Sequence, residues 1–157
     1  MAYTNCNIIF VDSDKNNKTK SITVSRLGFP GYTGRLLLTY YNKNDKVKEL
    51  MDLGNLYQIG KDTSCNDKNM NDSFEMKIHK NETCIAYKRD YSADDLFNVD
   101  LNEPTFKDDI EAIRVLDKNP AQFTYMWKDD KWYFRKWRSR LEEMNYIRIS
   151  HDEEEDG

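Results

Sequence analysis

The segment Phe123-Thr-Tyr-Met-Trp-Lys-Asp-Asp-Lys-Trp-Tyr-Phe-Arg-Lys-Trp-Arg-Ser-Arg140 decides the fold, because it contains all three tryptophans of the 157-residue chain. Two aromatic runs flank Asp129 and Asp130, which predicts a β-hairpin with the two aspartates at its tip. Alternate residues of a strand face opposite sides of a sheet. The expected faces are Phe123, Tyr125 and Trp127 on the first strand, Trp132 and Phe134 on one side of the second strand, and Tyr133, Arg135 and Trp137 on its other side.

Three interpretations of this hairpin stay open at the level of sequence. In the first, one face is core and the other carries cations over exposed rings, since cross-strand aromatic pairs alone stabilise a hairpin by about 0.2–1 kcal/mol each. In the second, the rings and cations stack a base or cover a phosphate. In the third, they contact a protein, because Trp, Tyr and Arg dominate interface hot spots. The candidate binding residues are Trp132, Tyr133, Arg135, Lys136, Trp137, Arg138 and Arg140.

Charge is distributed unevenly around the hairpin. Residues 128–140 carry six cations and two acids, whereas the tail 151–157 carries five acids. The whole chain has a net charge of −4, but without the tail it has 23 acidic and 24 basic residues. We expect the tail to be disordered and able to fold back on the basic strand. A nearly neutral body disfavours strong nucleic-acid binding, which normally needs a broad basic surface.

The rest of the chain predicts further hairpins and a few helices. Strands are expected at 7–11, 21–25, 74–79, 83–88 and 146–149, and helices at 35–41, 45–53 and from Thr105 to about 116. Strict alternation at 74–79 turns Phe74, Met76 and Ile78 inward. Asn44 or Asp45 is expected to cap the second helix, and Phe106, Ile110, Ile113 and Leu116 form the apolar stripe of the third.

The expected fold class is α+β, with an antiparallel sheet built from hairpins and two or three helices packed on one face. Residues 1–150 form one domain and 151–157 the tail.

A glycine-rich stretch, Gly28-Phe-Pro-Gly-Tyr-Thr-Gly34, precedes the first helix. It lacks the Lys-Ser/Thr of a phosphate-binding P-loop, so its simplest interpretation is a turn that seats the helix. The alternative is a weak anion-binding site in which Gly31 and Gly34 expose backbone amides and Arg35 stands at a helix N-terminus.

No catalytic or metal-binding motif is present in the sequence. The two histidines, His79 and His151, are far apart and the three cysteines have no paired spacing, so we expect no metal and no cofactor. The sequence favours a non-catalytic role over enzymatic activity. Cysteines in strands are expected to be small buried hydrophobes in a reducing, cytoplasmic setting. The chain start has no export signal, and no run is long enough to span a membrane.

Four pieces occur in an order that resembles a known group. They are the Gly28–Gly34 turn with Leu36-Leu-Leu-x-x-Tyr41-Asn, the stretch Lys46-Val-Lys-Glu-Leu-Met-Asp-Leu-Gly-Asn-Leu-x-x-Ile-Gly60, Cys84-Ile-Ala-Tyr-Lys-Arg-Asp90, and the closing Phe123-Thr-Tyr-x-Trp with Lys-Trp-Tyr-Phe134. This order is similar to uncharacterised small accessory proteins of tailed, T4-like bacteriophages, over about residues 20–137. Phe29 stands where that group more usually has tyrosine. The resemblance implies one domain and a phage origin, and it implies no activity and no catalytic residues.

The function expected from sequence is therefore a phage accessory protein that binds a host or phage protein in the host bacterial cytoplasm. The alternative is a nucleic-acid or nucleotide-binding module that uses the basic aromatic hairpin at 123–140. A membrane partner is not expected.

Overall fold

The computed structural model describes residues 4–64, 73–80, 82–90, 103–137 and 139–145. The strands are β1 (Cys6–Asp12), β2 (Lys18–Val24), β3 (Leu56–Gln58), β4 (Ile85–Ala86), β5 (Thr105–Phe106), β6 (Phe123–Lys128), β7 (Lys131–Lys136) and β8 (Glu142–Glu143). The helices are α1 (Arg35–Tyr40), α2 (Asn44–Asp52), α3 (Phe74–Lys80), α4 (Tyr87–Asp90) and α5 (Asp109–Leu116), with a 3-10 turn at Ser13–Lys15 and a π-helical turn at Pro30–Gly34. The expected acidic tail at 151–157 and the strand at 146–149 lie outside the described residues.

The α+β class is confirmed, and the eight described strands form one mixed sheet. Its order is β4-β3-β2-β1-β6-β7-β8, with β5 paired to β2. The hairpins β1–β2 and β6–β7 are antiparallel as expected, but β1 pairs with β6 in parallel, and β2 pairs with β3 in parallel. The expectation of a purely antiparallel sheet is therefore wrong. Local hairpin patterns cannot reveal pairings between strands that are distant in sequence.

The central strand β1 is buried along its whole length because both faces of the sheet are covered. Ile8 and Phe10 belong to the larger core with α1 and α2, whereas Ile9 belongs to a second core with Ala112 of α5. Helices thus pack on both faces, which corrects the expectation that they share one. A continuously apolar strand is typical of a sheet covered on both sides.

The segment that was expected to be the strand 74–79 is the helix α3. Ser73 stands before it, and its Oγ accepts a hydrogen bond from the Met76 N–H at 3.2 Å. Met76 is 48% exposed whereas Lys77 is buried, so the expectation that Met76 turns inward is wrong. Ile78 is half-buried, and the side chain of Phe74 lies outside what the structure describes. The predicted partner strand at 83–88 is shortened to β4, which pairs with β3, and the chain then enters α4.

Helix α5 begins later than its sequence pattern indicates. Thr105 and Phe106 form a strand, and the Asp108 side chain accepts from the Glu111 N–H at 2.9 Å as the N-cap. Ile110 is 74% exposed, so it does not belong to the apolar stripe. Ala112 is the fully buried residue of this helix.

Helix α2 agrees closely with its prediction. Val47, Leu50 and Met51 are buried, and Gly54 follows the helix with a φ of +77°. The expected cap by Asn44 or Asp45 is not observed. The N-cap position is occupied by Lys43, whose side chain forms no capping hydrogen bond.

Candidate functional site

Two of the three tryptophans lie in the core of the hairpin. Trp127 and Trp132 are 2% and 3% exposed and meet edge to face, with ring centroids 5.3 Å apart. The indole N–H of Trp132 donates to the Tyr41 carbonyl at 2.8 Å, and that of Trp127 donates to Asn44 Oδ1 at 3.2 Å. Both polar atoms are therefore satisfied inside the protein. Trp132 is unavailable for surface contacts, which corrects its assignment to the binding set.

The opposite face of β7 is also covered. Tyr133 is half-buried and packs against the second core. Arg135 is 7% exposed, and its guanidinium forms an ion pair with Asp117, at the C-cap of α5. The predicted alternation of the strand is correct, but α5 lies over the face on which a stacking platform was expected. Tyr133 and Arg135 are thus not arranged to stack a base.

Among the described residues of the predicted binding set, the exposed ones lie just after β7 ends. Trp137 is 65% exposed, Arg140 is exposed and Lys136 is half-buried. The backbone here is fixed, because the Trp137 N–H donates to the Gln122 carbonyl at 2.9 Å and the Ser139 N–H donates to the Lys136 carbonyl at 2.8 Å. We call Lys136, Trp137, Ser139 and Arg140 the Trp137 patch. Arg138, also in the predicted binding set, lies outside the described residues.

The glycine-rich turn packs internally. Its π-helical part runs directly into α1, and the Arg35 N–H donates to the carbonyls of Pro30 and Tyr32. The Thr33 hydroxyl donates to the Leu27 carbonyl at 2.7 Å, which fastens the turn to the preceding loop. Gly34 is buried, and its backbone is already helical at φ −60° and ψ −42°. The premise of a free helix N-terminus at Gly31, Gly34 and Arg35 is therefore wrong, and the helix-seating interpretation agrees with the geometry.

A buried thiol and phenol meet between α1 and β4. The Tyr41 hydroxyl lies 3.3 Å from Cys84 Sγ and 2.7 Å from the Gly60 carbonyl oxygen, to which it donates. The Gly60 N–H also donates to Cys84 Sγ at 3.3 Å. Burial raises the pKa of both the Tyr41 hydroxyl and the Cys84 thiol. A neutral, buried thiol is a poor nucleophile, so the geometry favours a structural role for this pair.

A second accessible feature is a cavity that sequence reasoning missed. It has a volume of about 290 Å³ and lies between helix α2 and the end of the β1–β2 hairpin at which the two strands are joined. Its lining residues are Phe10, Asp12, Lys15, Lys18, Lys20, Lys48, Met51 and Asp52. Its residues from the hairpin, 10–20, lie mostly between the strands expected at 7–11 and 21–25, where no site was expected. In β2, buried Thr19 separates Lys18 from Lys20. This alternation could have shown from the sequence that both lysines lie on one face of the strand.

Neither a family model, nor a curated protein, nor a solved structure matches this chain. Within the described ranges, no cluster of three or more His, Cys, Asp or Glu side chains could hold a metal ion. No helix in the same ranges has the length and apolar character needed to cross a membrane.

Proposed function

We propose that the chain is a phage accessory protein that acts by binding a host or phage protein through the Trp137 patch. One observation carries this proposal: Trp137 is 65% exposed, whereas the other two tryptophans of the same hairpin are almost fully buried. Leaving a large apolar ring in water forgoes about 1.5–3 kcal/mol of burial energy. A binding partner that covers the indole would recover that energy. The resemblance in sequence supports the phage origin and the host cytoplasm as the site of action.

The charge around the indole indicates the chemistry of the partner. Arg140, three residues after Trp137, is exposed, and Lys136 is half-buried at the end of β7. Trp and Arg are the residues most enriched in interface hot spots, where an aromatic anchor fills a pocket and charged groups at the rim choose the partner. The fitting partner is a protein with an acidic surface around a hydrophobic pocket that accepts one indole ring.

The alternative of a nucleic-acid-binding hairpin has less support. Single-strand recognition uses several rings on which successive bases stack, together with an extended cationic groove. On β7, Trp132 is in the core, Tyr133 is half-buried and Arg135 is paired with Asp117, so this strand does not present a row of exposed rings. This geometry favours a single anchoring contact over a stacked series.

Affinity capture from a lysate of infected host cells tests the proposal when two variants accompany the wild-type chain. Trp137→Ala removes the anchor, and Tyr40→Ala removes a different aromatic ring that is 40% exposed elsewhere. We expect one protein to be captured in stoichiometric amount by wild type and Tyr40→Ala, with or without nuclease, and to be lost with Trp137→Ala. Capture that survives Trp137→Ala, or that disappears with nuclease, contradicts the proposed function.

A further inference from the structure

The lysine-lined cavity lies between the β1–β2 hairpin, the 3-10 turn that joins its strands, and helix α2. In the β1–β2 pairing, Phe10 lies opposite Lys20 and Asp12 opposite Lys18, so the lysines extend the core face beyond its last apolar residues. Lys48, Met51 and Asp52 complete the wall from α2, and Lys15 comes from the 3-10 turn. The Trp137 patch lies at the other end of the sheet, since β7 ends opposite Phe123, which pairs with Cys6 at the start of β1. The cavity is thus independent of the proposed protein-binding surface.

The lining carries four lysines and two aspartates, a net charge of +2. One of the aspartates is already engaged, because Asp12 is 7% exposed and its Oδ1 accepts from the Asp14 N–H at 3.1 Å. Lys48 lies 3.9 Å from an Asp14 carboxylate oxygen, a distance at which an exposed pair contributes little. In the part of the chain that the structure describes, no ion pair involves Lys15, Lys18 or Lys20. Three of the four lysines that line the cavity are therefore not paired with an acid of the described chain, although Asp12 and Asp52 belong to the same lining.

From this arrangement we infer that the cavity binds a small ligand bearing a diphosphate or triphosphate group. Lys ammonium groups bind phosphate oxygens as point charges, and several around one concave site suit a ligand with several adjacent negative charges. Phe10 and Met51 are 3% and 5% exposed, so these two apolar side chains offer little surface of their own to a ligand. A volume of about 290 Å³ lies at the small end of ligand pockets, which fits a compact polyanion.

A free pyrophosphate and the diphosphate of a nucleotide share this chemistry, and calorimetry with three probes separates them. Inorganic pyrophosphate, ADP and adenosine are titrated into the full-length chain at low ionic strength. We expect pyrophosphate and ADP to bind at one site, and adenosine not to bind. Tighter binding of ADP identifies a nucleotide as the ligand class, and equal binding identifies the diphosphate alone.

Charge-matched variants locate the site. Lys18→Gln/Lys20→Gln should weaken binding by about tenfold or more, since two charge-assisted contacts are lost. Lys107→Gln/Lys118→Gln removes the same charge from exposed positions flanking α5, and it should keep the wild-type Kd. Asp52→Asn, which removes a negative charge from the rim, should tighten binding. Lys48→Gln, on α2, serves as a second test if the strand variant does not fold.

Three results overturn the inference. They are the absence of binding by pyrophosphate and ADP at millimolar concentration, equal weakening by the two double variants, and binding of adenosine as tightly as ADP. The second of these would show general charge attraction and no defined site.

Discussion

The ammonium of Lys77 lies 2.8 Å from a carboxylate oxygen of Asp90, and the two side chains are only 9% and 3% exposed. The same carboxylate accepts hydrogen bonds from the Ala86 N–H at 2.9 Å and from Arg89 Nε at 3.0 Å. This buried network joins α3 to α4 and fixes the orientation of both. It also explains how a lysine, Lys77, can be buried in this helix.

Asp90 accepts hydrogen bonds from Lys77, Arg89 and the Ala86 N–H, whereas the ammonium of Lys77 is paired with Asp90. Mutating Asp90 should therefore cost more stability than mutating Lys77. Asp90→Asn is expected to lower the free energy of unfolding by about 3 kcal/mol, since it leaves Lys77 buried without its counter-ion. Lys77→Met should cost less, because Asp90 keeps Arg89 as a partner. Urea denaturation measures both. Lys46→Met, which breaks an exposed pair with Glu49 at 3.4 Å, is the control and should change stability by less than about 1 kcal/mol. Equal losses in all three variants would contradict the network.

The same carboxylate should make the fold sensitive to acid. Burial alone raises the pKa of Asp90, but hydrogen bonds from Arg89, Lys77 and the Ala86 N–H outweigh it and hold the pKa below the ordinary 3.8. The unfolded chain therefore binds a proton at a higher pH than the folded chain does. The stabilisation is present above pH 3.8 and is lost as the pH falls through the folded pKa. Thermal unfolding followed from neutral pH to pH 3 should show a steeper loss of Tm for wild type than for Asp90→Asn. Parallel curves would exclude Asp90 as the cause.

Sequence patterns predicted those parts of the fold that depend on neighbours along the chain. The aromatic hairpin, the first hairpin, α1 and α2 were all expected, since their periodicity and turn residues are local. The segment 74–79 was misassigned because six alternating residues satisfy a strand pattern while Asp90, which allows Lys77 to be buried, is distant in sequence. The parallel pairing of β1 with β6 has no local signature for the same reason.

The candidate sites show the same division between local pattern and tertiary packing. Alternation correctly placed Tyr133 and Arg135 on the face opposite Trp132. It could not show that Asp117 and α5 cover that face, so an internal ion pair was interpreted as a contact surface. The sequence did not reveal the lysine-lined cavity, because Lys48 of α2 lines the same cavity as Lys18 and Lys20 only in the folded chain.

The buried cysteines should be unreactive in the native protein. Cys6 and Cys84 are both free and fully buried, and burial raises the pKa of each thiol above its ordinary 9.0. In a Cys65→Ser chain, we expect no reaction with Ellman's reagent under native conditions and reaction of both thiols in denaturant. Each thiol has a higher pKa in the folded chain than in the unfolded chain. The contribution of the two thiols to the free energy of unfolding is therefore complete below pH 9.0 and is lost as the pH rises through the folded pKa values. Rapid native labelling at pH 8 would show that one of these side chains is accessible.

The tip of the aromatic hairpin offers a way to increase stability. Asp129 and Asp130 have φ values of 52° and 62°, the left-handed pair that a type I′ turn requires. Asn-Gly is the preferred sequence for that turn, so Asp129→Asn/Asp130→Gly should raise the free energy of unfolding by about 1 kcal/mol. Asp130→Val is the opposite control, because a β-branched residue is strained at positive φ, and it should destabilise. The midpoints of urea denaturation are compared for wild type and the two variants. If Asp130→Val were more stable than wild type, the turn would not have this geometry.

Fluorescence quenching should single out Trp137 among the three tryptophans. Trp127 and Trp132 are 2% and 3% exposed, so a quencher that works by collision can reach Trp137 and little of the other two. Iodide should quench more efficiently than caesium, because the exposed Arg140 follows Trp137 by three residues and attracts an anion. Trp137→Phe should remove most of the quenching in the native state, while in urea the two remaining indoles become accessible. If the variant is still quenched like wild type, a second indole is open and the hairpin core is not closed. A partner that covers Trp137 should protect wild type from iodide, and a polyphosphate in the lysine-lined cavity should not, because the two sites lie at opposite ends of the sheet.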